Sequence, residues 1–286
     1  MKIKFLVAIS LLMSVVSYGQ TDSLAMYIDS LENSLTYHEG NVELLNGIGV
    51  LTIPDGFKYL DAEQSEYVLT ELWGNPQEED MTLGMLLPVD QGVLSDSSWV
   101  FNIEYEEIGY VEDEDASDID YDDLLEDLQE ETEEGNAQRE ELGYETISLV
   151  GWASKPYYDE NKKILHWAKE LNFGGSEENT LNYNIRILGR KGVLVINAIS
   201  SMNVLPGVKN DVPEILASFE FSEDNKYENY DPGMDKVAAY TVGGLVAGKV
   251  LAKTGIFVGL LKFWKVIAIA VAGFFGTFWK RLKGKE

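Results

Sequence analysis

The last fifty residues, 236–286, constrain this chain more than any other part, because they join a long apolar stretch to a concentration of positive charge. Thr254 to Trp279 carries only two lysines, Lys262 and Lys265, and forms about 39 Å of helix at 1.5 Å per residue, enough to cross a bilayer if those lysines snorkel or pair. Phe278 and Trp279, followed by Lys280, Arg281 and Lys283, have the composition of a cytoplasmic boundary under the positive-inside rule. The segment is therefore expected to be a membrane anchor with a basic tail. Lysines also set off an earlier part, Val237 to Lys253, in which Gly244 and Gly248 form a small-xxx-small pair. Such a pair lets another helix approach closely; a weakly apolar segment lying at the interface is the alternative. A hairpin of two crossings would put the basic tail outside, against the charge rule, so a single crossing is expected.

The other end of the chain fixes the direction. Met1 to Gln20 has Lys2 and Lys4, an apolar run from Phe5 to Val16, and Ser17-Tyr18-Gly19 before the mature sequence, the three parts of a secretory signal. Its apolar core is shorter than the roughly 20 residues of a spanning helix, so cleavage next to Gln20 is expected. Signal and tail together place the body outside the cytoplasm at a bacterial inner membrane, in the periplasm, with the tail inside.

Net charge is −27, and because basic residues gather at both ends, the stretch between them is more acidic still. An exterior of that sign excludes nucleic acid as a partner and is repelled by anionic lipid head groups. With no cysteine in the chain, disulfides, thiol catalysis, thiolate metal sites and lipid attachment through cysteine are excluded together.

Between the ends, the pattern predicts an N-terminal amphipathic helix within 21–40, an extracytoplasmic domain over 41–221 and a polar tether over 222–235, before the anchor at 236–286. Leu24, Ile28, Leu31 and Leu35 mark the first helix by their spacing. Asn46-Gly47 between two apolar runs predicts a hairpin. Ala62–Trp73 and Tyr121–Leu142 read as helices, and Val212–Ala217 as a short one. Strands are expected at Thr82–Pro88, Ser98–Tyr105, Thr146–Trp152, Ile164–Leu171, Leu181–Leu188, Val193–Ile199 and Ser218–Phe221. Adjacent strands with few helices between them define an α+β class with a mainly antiparallel sheet and a few packed helices, followed by C-terminal membrane helices.

Several ordered motifs resemble an uncharacterised bacterial family of predicted membrane-anchored proteins that share a domain of unknown function. They are Gly109-Tyr-Val-Glu-Asp-Glu-Asp115, Glu133-Glu-Gly-Asn136 with Arg139, Val150-Gly-Trp152 with Pro156 and Tyr158, Leu165-His-Trp167, Asn182-Tyr-Asn184, Leu188-Gly-Arg190 and Asp235-Lys-Val-Ala-Ala-Tyr240. The similarity runs from about Gly47 to the C-terminus. It implies export and a membrane anchor and transfers no catalytic residue. Ile53-Pro-Asp-Gly-Phe57 and Phe219-Glu-Phe221 are also similar to the Mog1/PsbP-like sandwich, as fold analogy.

No pattern identifies a catalytic residue or a cofactor site. The acidic run within 104–134 supplies Asp113, Asp115 and Asp118 as the carboxylates that would meet a divalent ion. Counted from Asp113, Leu124 falls at the twelfth place, which an EF-hand gives to Glu, so a solvated acidic face is the expectation. Arg139, on the apolar stripe of its helix, needs a partner; with Asn136 it is expected to fasten the acidic loop near Asp113 and Asp115. His38 and His166 are the only histidines, and neither stands in a nucleophile motif. Asn182, Tyr183 and Asn184 with Arg190 are read either as a polar pocket on the sheet or as turn and strand-edge hydrogen bonding.

These features predict a noncatalytic extracytoplasmic interaction module with an envelope protein as partner. The alternatives are a membrane-tethered hydrolase using acidic-loop carboxylates with a divalent metal, and an accessory subunit packing through its Gly-rich helix.

Overall fold

The computed structural model describes residues 26, 28–45, 47–75, 82–95, 98–141 and 143–248. The expected signal at 1–20 and the apolar segment 249–286 lie outside the described residues, and none of the described helices is long and apolar enough to cross a membrane.

In chain order the elements are β1 (Tyr37–His38), β2 (Asn41–Leu44), β3 (Gly49–Thr52), β4 (Phe57–Asp61), α1 (Ala62–Tyr67), β5 (Gly84–Pro88), β6 (Phe101–Glu106), α2 (Tyr121–Glu141), β7 (Ile147–Asp159), β8 (Ile164–Phe173), β9 (Thr180–Leu188), β10 (Val193–Ser201), α3 (Leu205–Ala217), β11 (Phe219–Phe221) and α4 (Val242–Ala247). Eight strands form one antiparallel sheet in the order β1-β4-β5-β6-β10-β9-β8-β7, and β11-β3-β2 form a second, small one. The fold is α+β with a mainly antiparallel sheet, as the alternation of the strands predicts.

Side-chain period explains the layering. Phe101 and Ile103 of β6, Leu194 and Ile196 of β10, and Tyr183 and Ile185 of β9 share one face. That face packs on Val208, Val212 and Ile215 of α3 and on Leu51, Phe219 and Phe221 of the small sheet. The opposite face is divided. At its β7 end, Leu165, Trp167 and Val195 meet Leu124 and Leu128 of α2 together with Val242, Leu245 and Val246 of α4. At its β4 end, Leu60, Met85 and Leu87 meet Val68, Val93 and Val100. The centre is left between these two clusters.

α1 begins at an N-cap, Asp61, whose side chain accepts from Gln64 N, and continues as a π-helical turn over Val68–Leu72. β2 and β3 pair as the Asn46-Gly47 hairpin predicts, Val42 opposite Leu51 and Leu44 opposite Gly49. β7 extends to Asp159, beyond the predicted strand, and carries register shifts along its pairing with β8.

Residues 222–248 depart most from expectation. Instead of a free tether, 222–235 runs across the body through two 3₁₀ turns, with Tyr227 buried and its hydroxyl donating to Val111 O at 2.8 Å. Arg190 Nε donates to Asp235 Oδ2 at 2.6 Å, and Tyr110 and Val237 form a parallel bridge. α4 then docks with Val242 and Val246 at 0 % and 1 % exposure. Docking on the body therefore continues through Gly248, past residue 236, where the anchor is expected to begin. Composition obscured this because the fastenings are long-range pairs.

Candidate functional site

The divided face of the large sheet carries polar residues where it is not covered. Asn102 on β6, Asn197 on β10 and Asn184 on β9 stand directly opposite one another in register, and the next position in that row is Trp167 on β8. Glu104, Val195, Arg186 and Leu165 form the adjacent row. Strand alternation produces this carpet, because the residues between them in sequence point into the apolar core on the other side.

Hydrogen bonds hold the carpet in place. Thr82 Oγ1 donates to Asn102 Oδ1 at 2.6 Å, and Asn102 Nδ2 donates to Glu104 Oε1. Arg186 Nη1 donates to Asn197 Oδ1 and to Ile185 O, both at 2.9 Å, and its guanidinium lies 5.2 Å from the Trp167 ring centre. Among the described residues Arg186 has no carboxylate in ion-pair contact. Burial pushes its pKa down to about 10, against the opposing pull of Glu106 and Glu104, and it stays charged at neutral pH. Lys169, on the same face, donates to Val246 O at 3.4 Å; burial, then the nearby Arg186, lower its pKa.

Beside this floor is a cleft of about 670 Å³. Its wall is the outer side of α1 and the π turn, with Glu66, Leu69, Thr70 and Trp73; Asn102, Glu104, Asn197 and Ile199 lie along the sheet side. Trp73 is 41 % exposed, and its indole N–H donates to Val93 O at 3.0 Å. Ser98, Ser200 and Ser201 close the far side, and the Ser98 hydroxyl is buried, with no hydrogen-bond partner among the described residues.

The predicted site residues have other places. Asp113 accepts from Lys163 Nζ and Tyr158 OH, each at 2.6 Å, and from Tyr227 OH at 3.0 Å. Burial alone would raise its pKa, but the three donors outweigh it and hold the carboxyl below its usual range. Asp115 accepts from the backbone N–H groups of Val242 and Gly243, both at 3.3 Å, so it secures the start of α4. Asp118 is exposed. Among the described residues no group of three or more acidic or histidine side chains is arranged to hold a metal ion.

Asn136 and Arg139 do fasten, but not the acidic loop. Asn136 pairs with both backbone groups of Ile147 at 2.8 and 2.9 Å, and Arg139 Nε donates to Glu145 O at 2.8 Å beside the Tyr144 ring. They bind the end of α2 to the start of β7; the loop's cation is Lys163, from the turn before β8. Gly244 is buried within α4, whose cap is Thr241 Oγ1, and Gly248 ends the helix in the left-handed conformation at φ 69°. Within the described residues the glycine pair shapes a helix docked on the body, not a free packing face.

Of the suggested Asn182, Tyr183, Asn184 and Arg190 group, the two asparagines lie on the polar face, while Tyr183 points into the opposite core and Arg190 is taken by Asp235. Arg186, two residues beyond Asn184, is the member that sequence reasoning missed. His166 shares a 3.0 Å contact with the Tyr183 hydroxyl; burial lowers its pKa, with Asp159 acting the other way. His38 lies 3.6 Å from Asp61 at the sheet edge.

The fold and the site together define an α+β protein with a polar cleft on the partly covered face of an antiparallel sheet. By sequence, the chain belongs to the family described as protein of unknown function (DUF2167), whose match covers residues 36–276. Comparison with the curated proteins finds no match. The solution structure of cyanobacterial PsbP (CyanoP) from Synechocystis sp. PCC 6803 is similar over 66 % of this chain and 92 % of that chain, at 10 % identity and a TM-score of 0.36. A likeness that loose carries no argument.

Proposed function

We propose that this chain is a noncatalytic interaction module, held at a bacterial inner membrane by residues 249–286, with its body on the extracytoplasmic side and its basic tail in the cytoplasm. Its partners are membrane lipid, through that segment, and a protein of the cell envelope. The observation that carries the reading is the docked strap. Residues 222–248 are pinned by Asp235 to Arg190, by Tyr227 to Val111 and by α4 to the sheet, so the body is joined directly to the start of the apolar and basic segment. A body fastened at that point stands only a few residues from the expected span beginning at Thr254, which suits contact with a neighbour in the same membrane. The charge division supports the same orientation, with carboxylates on the body and lysines in the tail.

Expression of the full chain and of a chain ending at Gly248 tests this. The full chain should sediment with membranes, and the shortened one should appear folded and soluble in the periplasmic fraction. A shortened chain that stays with membranes refutes the assignment of the anchor.

A further inference from the structure

We infer that the cleft between α1 and the centre of the large sheet is a binding site for a neutral saccharide. Its chemistry selects the ligand class. The amide N–H groups of Asn75 and Asn197 can donate into the space, and the hydroxyl oxygens of Thr70 and Ser200, whose own protons go to Glu66 O and Ser98 O, can accept, so both roles meet around one cleft. Sugar hydroxyls need that mixture, because each both donates and accepts. Trp73 adds a large apolar ring at the edge, about two-fifths exposed, with its polar N–H already bonded to Val93. An indole in this position suits the apolar face of a pyranose ring.

Charge weighs against an anionic ligand. The described lining residues include the carboxylates Glu66 and Glu104 and no lysine, arginine or histidine, so a phosphorylated or carboxylate ligand meets repulsion inside a chain of net charge −27. Arg186 lies behind Asn197 and bonds to its side-chain oxygen, which offsets part of that negative charge, and a cationic ligand is the competing class that the trilysine probe tests. Glu104 feels that guanidinium and is bonded to Asn102, so its charge is partly offset. The cleft volume of about 670 Å³ falls within the range of sites for small organic ligands, enough for two or three sugar rings.

The arrangement is also rigid. Asn197 is fixed by Arg186, Asn102 by Thr82, and Trp73 by Val93, so little ordering is required when a ligand enters. The inference depends on the cleft and not on which side of the membrane the body lies, so a failed titration leaves the anchor reading standing, and the reverse.

The full chain, reconstituted in lipid nanodiscs to avoid glycoside detergents, is titrated calorimetrically with maltotriose, cellotriose and N,N′,N″-triacetylchitotriose, and with trilysine and inorganic phosphate as charged probes. At least one trisaccharide should bind with a Kd at or below about 1 mM, and phosphate should not. Trp73→Ala should weaken that binding about tenfold, and Trp73→Phe should retain most of it. Ile199→Glu, at a position 64 % exposed on the cleft rim, should abolish it without altering the melting temperature, which keeps the test valid if the Trp73→Ala chain folds poorly. No heat from any of the three sugars, binding confined to trilysine or phosphate, or sugar binding untouched by Ile199→Glu would each overturn the inference.

Discussion

Leu245→Ala asks whether residues 236–248 belong to the body or to the membrane. Leu245 is 7 % exposed and packs in the cluster with Trp167, Leu165 and Leu124. Truncating a buried leucine costs about 2–5 kcal/mol, the spread depending on how far the surroundings collapse. A site on a six-residue helix near the rim relaxes better than a central one, so about 3 kcal/mol is expected. For a domain of this size each kcal/mol lowers Tm by roughly 2–4 °C, which gives a fall of about 6–12 °C. Met234→Ala, at a position of the strap that is 75 % exposed, is the control and should not change Tm. The assay is thermal unfolding of the full chain in nanodiscs by near-ultraviolet circular dichroism, with hydrogen exchange followed over 238–247. Exchange covers the case in which the strap detaches before the rest unfolds, where the variant would lose protection in that segment first. A Tm and an exchange profile both equal to wild type would refute the docking of α4.

Other expectations follow from single contacts. Asp113 has a folded pKa held below the ordinary 3.8, so its stabilising contribution is complete above that range and is lost as pH falls through 3.8 toward the lowered value. In Asp113→Asn the fall in Tm across that acid window should flatten; an unchanged acid limb contradicts the three-donor arrangement. Asn136→Ala removes both bonds to Ile147 from a side chain 8 % exposed and should cost about 1–3 kcal/mol in denaturant unfolding. Gly192→Ala should destabilise more than its one methyl suggests, because a Cβ there would lie 2.1 Å from Glu106 O, a backbone atom that can move only with the β6–β10 pairing. A Gly192→Ala chain as stable as wild type would show that the pairing shifts freely.

Much of the fold was legible because local pattern and tertiary role agree. Trp99, Phe101, Ile103 and Tyr105 alternate in sequence and all pack toward the α3 side. Tyr121–Glu141 forms one uninterrupted helix whose Leu124 and Leu128 are buried, as its period predicts. The hairpin at Gly47 needs a positive φ there, and it has one, 91°. What was not legible depends on contacts distant in sequence. Nothing local announces that Asp235 will find Arg190, or Tyr227 will find Val111 and Asp113, so a polar stretch closed by Pro232-Gly233 reads as a tether. The same limit placed Arg139 with the wrong loop, since its partner is a backbone carbonyl of Glu145, which has no residue signature.

The candidate site was half visible. Leu181, Tyr183, Ile185 and Ile187 alternate with Asn182, Asn184 and Arg186, and that pattern marks a strand with one polar face. Its register with Asn197 and Asn102 decides whether the face is surface or floor, and pairing between strands β6, β9 and β10 supplies that only in three dimensions. Trp73 had no distinguishing mark in sequence. Its place on the cleft rim comes from the π turn that ends α1 and from the bond to Val93.

The orientation of the body is tested most directly by introduced thiols, because the chain has no cysteine of its own. One variant carries Ser176→Cys, in the exposed turn between β8 and β9, and another carries Lys285→Cys in the basic tail. In intact spheroplasts a membrane-impermeant maleimide should label the first and spare the second, which should react only after lysis. Labelling of the tail residue in intact cells with protection of the residue on the body would contradict the account.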